Sequence, residues 1–271
     1  MSVSLGPLSL ALGHLLVLLA FVLALLVGGL LGRRYRQPVA GQVADIAWGA
    51  ILLARIGFVI AYWPHYRDQP WGVIDIRDGG FDVVWGLTGA AITTAYKLWR
   101  QPAVRRPLTL AAGAGLLFWS FTAGTVALIE RQARGLPALS LPTLSEASVP
   151  LSGLAQGQPM VINLWATWCP PCVREMPVLA EAQQRYPEIR FVFVNQGEPP
   201  ETIRRFLQDH GLRLEHVLLD TRGELARAVG SHGLPTTLFY NARGQQVASH
   251  MGALSQATLA RGLERLRPAT P

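Results

Sequence analysis

An unbroken apolar run near the start of the chain limits what this sequence can fold into more than any other feature. Residues 8–31, LSLALGHLLVLLAFVLALLVGGLL, contain no Asp, Glu, Lys or Arg. A helix of about 20 apolar residues crosses the hydrocarbon core of a bilayer. No basic segment precedes the run and no small-residue cleavage pattern follows it, so we interpret it as a retained membrane helix and not as a signal peptide.

Three further apolar segments predict membrane helices, at 40–63, 82–99 and 108–129. The composition agrees, because 50% hydrophobic residues, 15% charged residues and a mean hydropathy of +0.27 are too apolar for an ordinary soluble enzyme. We therefore expect an α-helical membrane domain of about four transmembrane helices over residues 1–130.

The placement of basic residues predicts the orientation of this domain. The basic residues follow the first and the third predicted helix: Arg33, Arg34, Arg36, Lys97, Arg100, Arg105 and Arg106. The intervening loop balances two arginines with three aspartates. Because basic loops stay on the cytoplasmic side, the rest of the chain is expected outside the cytoplasm. We predict a multi-pass inner-membrane protein with its C-terminal domain in the periplasm, and no nucleic-acid partner for its net charge of +7.

The helical half also resembles a known enzyme family. Residues 54–89, ARIGFVIAYWPHYRDQPWGVIDIRDGGFDVVWGLTG, are similar to the early part of prolipoprotein diacylglyceryl transferases. The resemblance aligns Val84 with the functional histidine of that family, and valine cannot relay a proton. We therefore expect a degenerate transferase scaffold. Asp45 and Arg55 in the second predicted helix are either groups that face the bundle interior or interfacial residues.

The second half of the chain changes from apolar helices to alternating short elements. Residues 131–150 are rich in Pro, Ser and Ala and predict a linker. Short apolar runs then predict strands at 159–165, 190–195, 216–220, 236–240 and 245–250. Helical patterns lie between and after them, up to about Tyr186, at 200–210, at 224–229 and at 259–266. This order predicts an α/β sheet covered on both faces over residues 151–268.

The only two cysteines, Cys169 and Cys172, lie in the segment ATWCPPCVREMP. A zinc site needs about four ligands, and the histidines of this half are scattered without ligand spacing. A structural crosslink over so short a loop removes little conformational entropy from the unfolded chain. A redox couple is the favoured interpretation, so we expect no metal and no cofactor besides the disulfide itself.

The predicted elements around this pair suit redox chemistry. Cys169 is expected at the N-terminus of a helix, where free N–H groups and the helix dipole stabilise a thiolate. We predict that Cys169 is the exposed attacking nucleophile and that Cys172 resolves the mixed disulfide. Pro235, in SHGLPTTLFY, is expected to be a cis proline beside the dithiol.

The segments VINLWATWCPPCVREMPVL, VFVNQGE and GLPTTLFYNARGQ resemble TlpA/ResA-like membrane-tethered thioredoxins. The resemblance implies a thioredoxin-like domain and a thiol–disulfide oxidoreductase, usually a reductant. It implies that Glu175 tunes the cysteines and that Pro235 belongs to the catalytic set. Trp168 and Thr236 are expected to dock the substrate. Asn163 stands where cytoplasmic thioredoxins carry a buried aspartate, which shifts proton transfer toward Glu175.

The function expected from these features is reduction of disulfides in exported proteins by a membrane-anchored oxidoreductase. Family analogy suggests cytochrome c biogenesis or copper-site thiols as clients. Residues 1–168 contain no cysteine, so a separate membrane thiol-transfer reductase is expected as electron donor. The other partner is the lipid bilayer. Two alternatives stay open: a disulfide oxidase or isomerase, and a lipoprotein-related lipid-transfer enzyme with an appended redox module.

Overall fold

The structure, a computed structural model, describes residues 2–5, 8–67, 70–132 and 135–266. It contains two compact units. A helical unit comprises Leu12–Ile76 and Gly80–Gln132. The other unit comprises Met1–Ala11, Arg77–Gly79 and Ala133–Pro271, and the last of these segments contains the α/β fold, so it is called the α/β unit. The predicted order of a helical region followed by an α/β domain is confirmed.

The helical unit contains the four helices that the sequence predicts. They are α1 (Leu12–Tyr35), α2 (Val39–Ala61), α3 (Val83–Arg100) and α4 (Arg105–Gln132). The first helix begins four residues later than predicted, because the preceding residues form an antiparallel hairpin of β1 (Ser2–Leu5) and β2 (Leu8–Ala11). Their Ser-Val-Ser-Leu and Leu-Ser-Leu-Ala alternation has the period of two that is typical of a strand.

Helices α2 and α3 pack closely through glycines. A Cβ atom on Gly49 would lie 2.2 Å from Thr93 Oγ1, and one on Gly89 would lie 2.4 Å from the Gly49 carbonyl oxygen. Such small residues let two helix backbones approach each other, as in membrane helix pairs. Asp45 near the start of α2 pairs with Lys97 near the end of α3, so the two helices run antiparallel.

Three helical segments are long and apolar enough to cross a membrane, by length and composition. These are Leu15–Tyr35, Val39–Ala61 and Pro102–Val126. The third predicted membrane helix corresponds to α3, which has 18 residues and is not one of these three segments. At 1.5 Å per residue its length is about 27 Å, close to the thickness of the hydrocarbon core.

The two charged residues of α2 are both held by polar partners. Asp45 forms the ion pair with Lys97. Arg55 is buried and donates hydrogen bonds of 2.7–2.9 Å to the backbone carbonyls of Gly72, Val73, Asp75 and Gly80. Arg55 therefore holds the α2–α3 loop, which decides against the interfacial interpretation for this residue.

The α/β unit is built on a five-stranded sheet with the order β7-β6-β5-β8-β9. Its strands are β5 (Met160–Trp165), β6 (Arg190–Gln196), β7 (His216–Asp220), β8 (Thr236–Tyr240) and β9 (Gln246–Met251). Its helices are α5 (Leu151–Ala155), α6 (Pro170–Arg185), α7 (Pro200–Asp209), α8 (Glu224–Ala228) and α9 (Gln256–Glu264). The pairs β5–β6 and β6–β7 are parallel, and β5–β8 and β8–β9 are antiparallel. This is the predicted thioredoxin-like arrangement.

The central strand β5 separates the two halves of the core. All six of its residues are buried. Val161 and Trp165 pack in the cluster that contains both cysteines, whereas Ile162 and Leu164 pack in the cluster on the opposite face. Because side chains alternate along a strand, Asn163 lies on the cysteine face. A buried polar residue in the middle of β5 therefore faces the helix that carries Cys172.

The predicted linker at 131–150 is wrong for the residues that the structure describes. Residues 131–132 complete α4, and the chain from 135 onward is folded into the α/β unit. Strands β3 (Ser140–Pro142) and β4 (Ser148–Pro150) pair with each other. Leu141 is buried beside Ile162 and Leu164, so the domain begins before the predicted boundary at 151. The Pro, Ser and Ala content of this segment favoured a linker, although leucines in the same segment cover the sheet.

Candidate active site

The two cysteines form a disulfide across the first turn of α6. Cys169 is the N-cap residue of this helix, and its Sγ accepts the backbone N–H of Cys172 at 3.3 Å. Pro170 and Pro171 occupy the first two helical positions, where the N–H that proline lacks has no partner within the helix. The positive end of the α6 dipole therefore lies at Cys169, where a thiolate is stabilised.

The sulfur expected to be exposed is largely enclosed. Cys169 is 4% exposed and Cys172 is 0% exposed. The prediction of an exposed nucleophile is therefore corrected: Cys169 is the more accessible of the two, but only a small part of it meets solvent. Both residues pack within the cluster that contains Trp165 and Ala166, which accounts for the enclosure.

Trp168 stands out on the surface beside Cys169. Its side chain is 67% exposed, and it is the one exposed large hydrophobic side chain within residues 135–266. A tryptophan presents a large apolar face at little cost in conformational entropy, which suits contact with a polypeptide.

A buried carboxyl group lies behind the disulfide. Glu175 follows Cys172 by three residues on α6 and is 1% exposed. Its Oε1 accepts a 2.7 Å hydrogen bond from Asn163 Nδ2, and its Oε2 accepts one of 2.7 Å from the backbone N–H of Leu254. Asn163 Nδ2 also donates to Thr237 Oγ1 at 3.0 Å. One polar network therefore joins α6, β5, β8 and the loop before α9.

Burial raises the pKa of Glu175 from 4.5 to about 7. The hydrogen bonds from Leu254 and Asn163 act in the opposite direction, but the loss of water around the carboxylate has the larger effect on the pKa. A carboxyl group that titrates near neutral pH can both take and return a proton. Because Cys172 is fully buried, a neighbouring group of this kind is needed to accept the proton of its thiol.

A second buried carboxylate, Glu198, was missed by sequence reasoning. Its Oε2 accepts hydrogen bonds of 2.7 Å from the backbone N–H of Thr167 and from Asn195 Nδ2, and its Oε1 accepts the Thr167 hydroxyl. Thr167 lies two residues before Cys169, so Glu198 fixes the segment that leads to Cys169. A signal was present: Asn195 lies at the end of β6, a buried strand parallel to β5, Glu198 follows that strand, and parallel strands end at one edge of the sheet.

The Pro235 loop lies at the same edge. The Leu234–Pro235 peptide bond is cis, as the sequence predicts. Thr236 pairs with Leu164 in the antiparallel β5–β8 ladder, which places Pro235 level with the end of β5, where the cysteine segment begins. The catalytic role of Pro235 itself stays a prediction.

Thr236 does not occupy the position that a docking role requires. Its side chain is buried, donates to the Gly233 carbonyl at 2.7 Å and accepts a 2.8 Å hydrogen bond from Ser231 Oγ. The hydroxyl therefore holds the loop before Pro235 and is not presented to a partner. The sequence could not reveal this because Ser231, which engages it, lies five residues away in an irregular segment.

Metal ligands are not grouped in the part of the chain that the structure describes: no three His, Cys, Asp or Glu side chains there could hold an ion together. The Cys169–Cys172 pair lies at this edge of the sheet, with Glu175 behind it and Trp168 beside it.

Comparison with known proteins finds the same chemistry. The model of the AhpC/TSA family matches residues 133–249. The thiol-disulfide oxidoreductase ResA of Halalkalibacterium halodurans is 32% identical over 115 residues, which are 42% of this chain and 65% of the relative. The chain thus spans just under two thirds of that relative. A solved structure, MTB dsbF in mixed oxidised and reduced forms, is 28% identical with a TM-score of 0.45, covering 48% of this chain and 96% of that chain.

A longer match extends toward the helical unit. The thiol:disulfide interchange protein DsbE homolog of Paracoccus denitrificans is 31% identical over 165 residues, covering 57% of this chain and 87% of the relative. This match shows that the chain belongs to the family of DsbE-type thiol:disulfide interchange proteins.

Proposed function

We propose that this chain is a membrane-anchored, extracytoplasmic oxidoreductase that reduces disulfides of exported proteins through Cys169 and Cys172. The observation that carries the proposal is the disulfide at the N-terminus of α6 with the Glu175 carboxyl group one helical turn behind it. The helix dipole favours a thiolate at Cys169, and Glu175 supplies a proton acceptor for Cys172, which water does not reach.

In the reduced protein, the Cys169 thiolate attacks one sulfur of a substrate disulfide. A bond forms between the two sulfurs, the substrate bond breaks, and the other substrate sulfur leaves as a thiolate. Cys172 then gives its proton to Glu175 and attacks Cys169 Sγ, which releases the second substrate thiolate. Two electrons have passed to the substrate, and its thiolates take up one proton from Glu175 and one from water.

The surface beside the disulfide supports a polypeptide substrate. Trp168 offers an apolar face next to Cys169, and the cis Pro235 loop lies level with the end of β5. Docking is therefore assigned to Trp168 and to the backbone around Pro235. Thr236 acts as a support for that loop.

The arrangement of the helical unit supports an anchor with α3 as a fourth crossing. Because α2 and α3 are antiparallel, the α1–α2 and α3–α4 connections lie at one end of the unit, and these carry its arginine clusters. With that end in the cytoplasm, four crossings return the chain to the outer side, the periplasm of a cell with an inner membrane. The likeness of residues 54–89 to diacylglyceryl transferases stays a prediction; Val84 lies in the first turn of α3.

The oxidised pair must be reduced again by another protein. Both cysteines of the chain belong to the active pair, so its helices cannot pass electrons between thiols. We assign this task to a membrane protein with a reactive dithiol. Exported proteins with cysteine pairs for haem or copper are the client class that the family suggests.

Trapping in cells tests the proposal. A Cys172→Ala chain cannot resolve its mixed disulfide, so exported proteins are expected to accumulate bound to Cys169, and Cys169→Ala is the matched control. Equal capture by the two variants, or capture of cytoplasmic proteins alone, would refute it. A reduction potential near that of strong oxidants would instead favour the oxidase or isomerase alternative. Lipid transfer that persists in the Cys169→Ala/Cys172→Ala double variant would favour the lipid enzyme.

A further inference from the structure

The side-chain amide of Asn163 has one end fully engaged and the other end free. Its Nδ2 donates to Glu175 Oε1 at 2.7 Å and to Thr237 Oγ1 at 3.0 Å. Its Oδ1 is buried and has no hydrogen-bond partner among the residues that the structure describes. A buried acceptor without a partner is unfavourable, so a second orientation of the Asn163 amide, in which Oδ1 accepts a hydrogen bond, would remove this cost.

The observed orientation is the one that an ionised Glu175 requires. A carboxylate only accepts hydrogen bonds, and the backbone N–H of Leu254 already donates to Oε2. The group that faces Oε1 must then donate as well, and only the NH₂ end of Asn163 can do so. The oxygen end is turned away as a result.

Protonation of Glu175 reverses this requirement. Because Leu254 N–H keeps its acceptor at Oε2, the new O–H lies on Oε1 and needs an acceptor on the Asn163 side. A half turn of the amide brings Oδ1 there. That oxygen has two lone pairs, and it can accept from Glu175 and from Thr237 together, since a threonine hydroxyl donates as readily as it accepts. Both hydrogen bonds are kept, and in each of them the donor and the acceptor exchange roles.

We propose that Asn163 is a positioning residue whose side-chain amide turns over when Glu175 gains or loses its proton, with the Thr237 hydroxyl reversing its role in step. The inference rests on the proposed function, in which Glu175 exchanges a proton with Cys172. A fixed donor would favour only the ionised carboxylate. An amide that turns supports both forms, so the proton can arrive and leave while Asn163 stays hydrogen-bonded to Glu175 and Thr237.

Among the groups around Glu175, the side-chain amide of Asn163 is the one that can turn when Glu175 gains or loses its proton. The groups that face it are Cys172 on its own helix, Asn163 on β5, Thr237 beyond Asn163 on β8, and the backbone of Leu254. Burial raises the pKa of Glu175, and the hydrogen bonds from Leu254 and Asn163 act in the opposite direction. Leu254 offers a backbone donor that cannot reverse.

Nuclear magnetic resonance of the full-length chain in detergent micelles tests this proposal without relying on activity. The chain has three asparagines, Asn163, Asn195 and Asn241, so ¹⁵N-asparagine labelling gives three side-chain amides. In the oxidised protein, contacts between the Asn163 NH₂ protons and Thr237 are expected above the Glu175 pKa of about 7 and should be lost below it. The loss should share its midpoint with the Glu175 carboxyl titration, while the Asn195 amide, which donates to Glu198, is unchanged.

The Glu175→Gln variant provides a locked control. Its carbonyl oxygen must face Leu254 N–H, so its NH₂ group faces Asn163 and requires Oδ1 there at every pH. The low-pH pattern is therefore expected throughout. Contacts to Thr237 that persist in the wild type while Glu175 titrates, or a high-pH pattern in Glu175→Gln, would overturn the proposal. Failure of disulfide trapping, with this NMR behaviour intact, would count only against the proposed function.

Discussion

The carboxylate of Glu198 accepts the backbone N–H of Thr167 at 2.7 Å, two residues before Cys169. It also accepts the Thr167 hydroxyl and the amide of Asn195, so three donors from two segments converge on one side chain. Glu198 is therefore a positioning residue for Cys169: it fixes the segment between β5 and α6 without any need to touch a substrate.

Removal of the Glu198 carboxylate should loosen this segment. Glu198→Ala leaves the buried N–H of Thr167 and the Asn195 amide without an acceptor, which should destabilise the fold by about 1–3 kcal/mol. Glu198→Gln should rescue most of the loss, because its NH₂ end can face the Thr167 hydroxyl. Thermal unfolding of the oxidised chain measures the loss of stability in Glu198→Ala and its recovery in Glu198→Gln. The control is Glu201→Ala, an exposed residue paired with Arg204, and an equal effect there would contradict the role of Glu198.

Glu175 should control how the mixed disulfide is resolved as pH changes. The ionised carboxylate accepts the Cys172 proton, so in the wild type the resolution rate should rise as pH passes through about 7 and then level off. Glu175→Gln should remove this step and slow resolution at neutral pH by about 10²-fold or more. Rapid-mixing kinetics with a disulfide substrate measures the rate. Glu181→Gln, on the exposed side of α6, should keep the wild-type profile.

The same residue should make stability depend on pH. The folded-state pKa of about 7 lies above the ordinary value of 4.5, so the folded state binds this proton more tightly than the unfolded chain. The contribution of Glu175 to the free energy of unfolding is fully present below about pH 4.5 and is lost as pH rises through about 7. At pH 8, Glu175→Gln should be more stable than the wild type by up to about 3 kcal/mol. Denaturation at pH 5 and pH 8 tests this, and an equal difference at both pH values would contradict it.

Trp168 should matter for protein substrates and not for small ones. Because its side chain is 67% exposed, Trp168→Ala should leave the melting temperature within about 1 °C of the wild type. The kcat/KM for a protein disulfide should fall about tenfold, as for the loss of one apolar anchor. Reduction of a small aromatic disulfide should be unaffected, and Trp168→Phe should retain most of the activity. An equal loss for both substrates would assign Trp168 to the chemistry instead of to docking.

The orientation of the helical unit can be tested with single cysteines in a Cys169→Ala/Cys172→Ala background. Gln101, between α3 and α4, and Ser145, between β3 and β4, are both exposed. In intact spheroplasts, Ser145→Cys should react with a membrane-impermeant maleimide and Gln101→Cys should react only after lysis. Reaction of both from outside would mean that α4, which separates the two positions, does not cross the membrane.

The sequence predicted those features that depend on local pattern. The apolar runs identified four helices, and the CPPC turn between β5 and α6 placed Cys169 at a helix N-terminus, because prolines and a preceding buried strand leave few other arrangements. The cis bond at Pro235 was also predicted correctly.

What the sequence could not show depends on contacts between distant segments and, for Thr236, on contacts within an irregular loop. Glu198 and Thr167 are hydrogen-bonded although they are 31 positions apart in the sequence, and Leu254 and Glu175 are 79 positions apart. The hydroxyl of Thr236 is consumed by its own loop, and Leu141 is buried under a sheet that forms only later in the chain. Composition alone made residues 135–150 resemble a spacer, because a proline-rich edge and a linker share the same residues.

The enclosure of Cys169, at 4% exposure, has a consequence for the choice of clients. We expect a sulfur so recessed to be reached by small disulfides and, in proteins, by a disulfide carried on a narrow, flexible stretch of chain beside Trp168. A crosslink sealed inside a finished globular protein cannot make that approach. In the proposed function, we therefore expect disulfides in chains that have yet to receive their final partner or fold to react in preference to those of completed proteins.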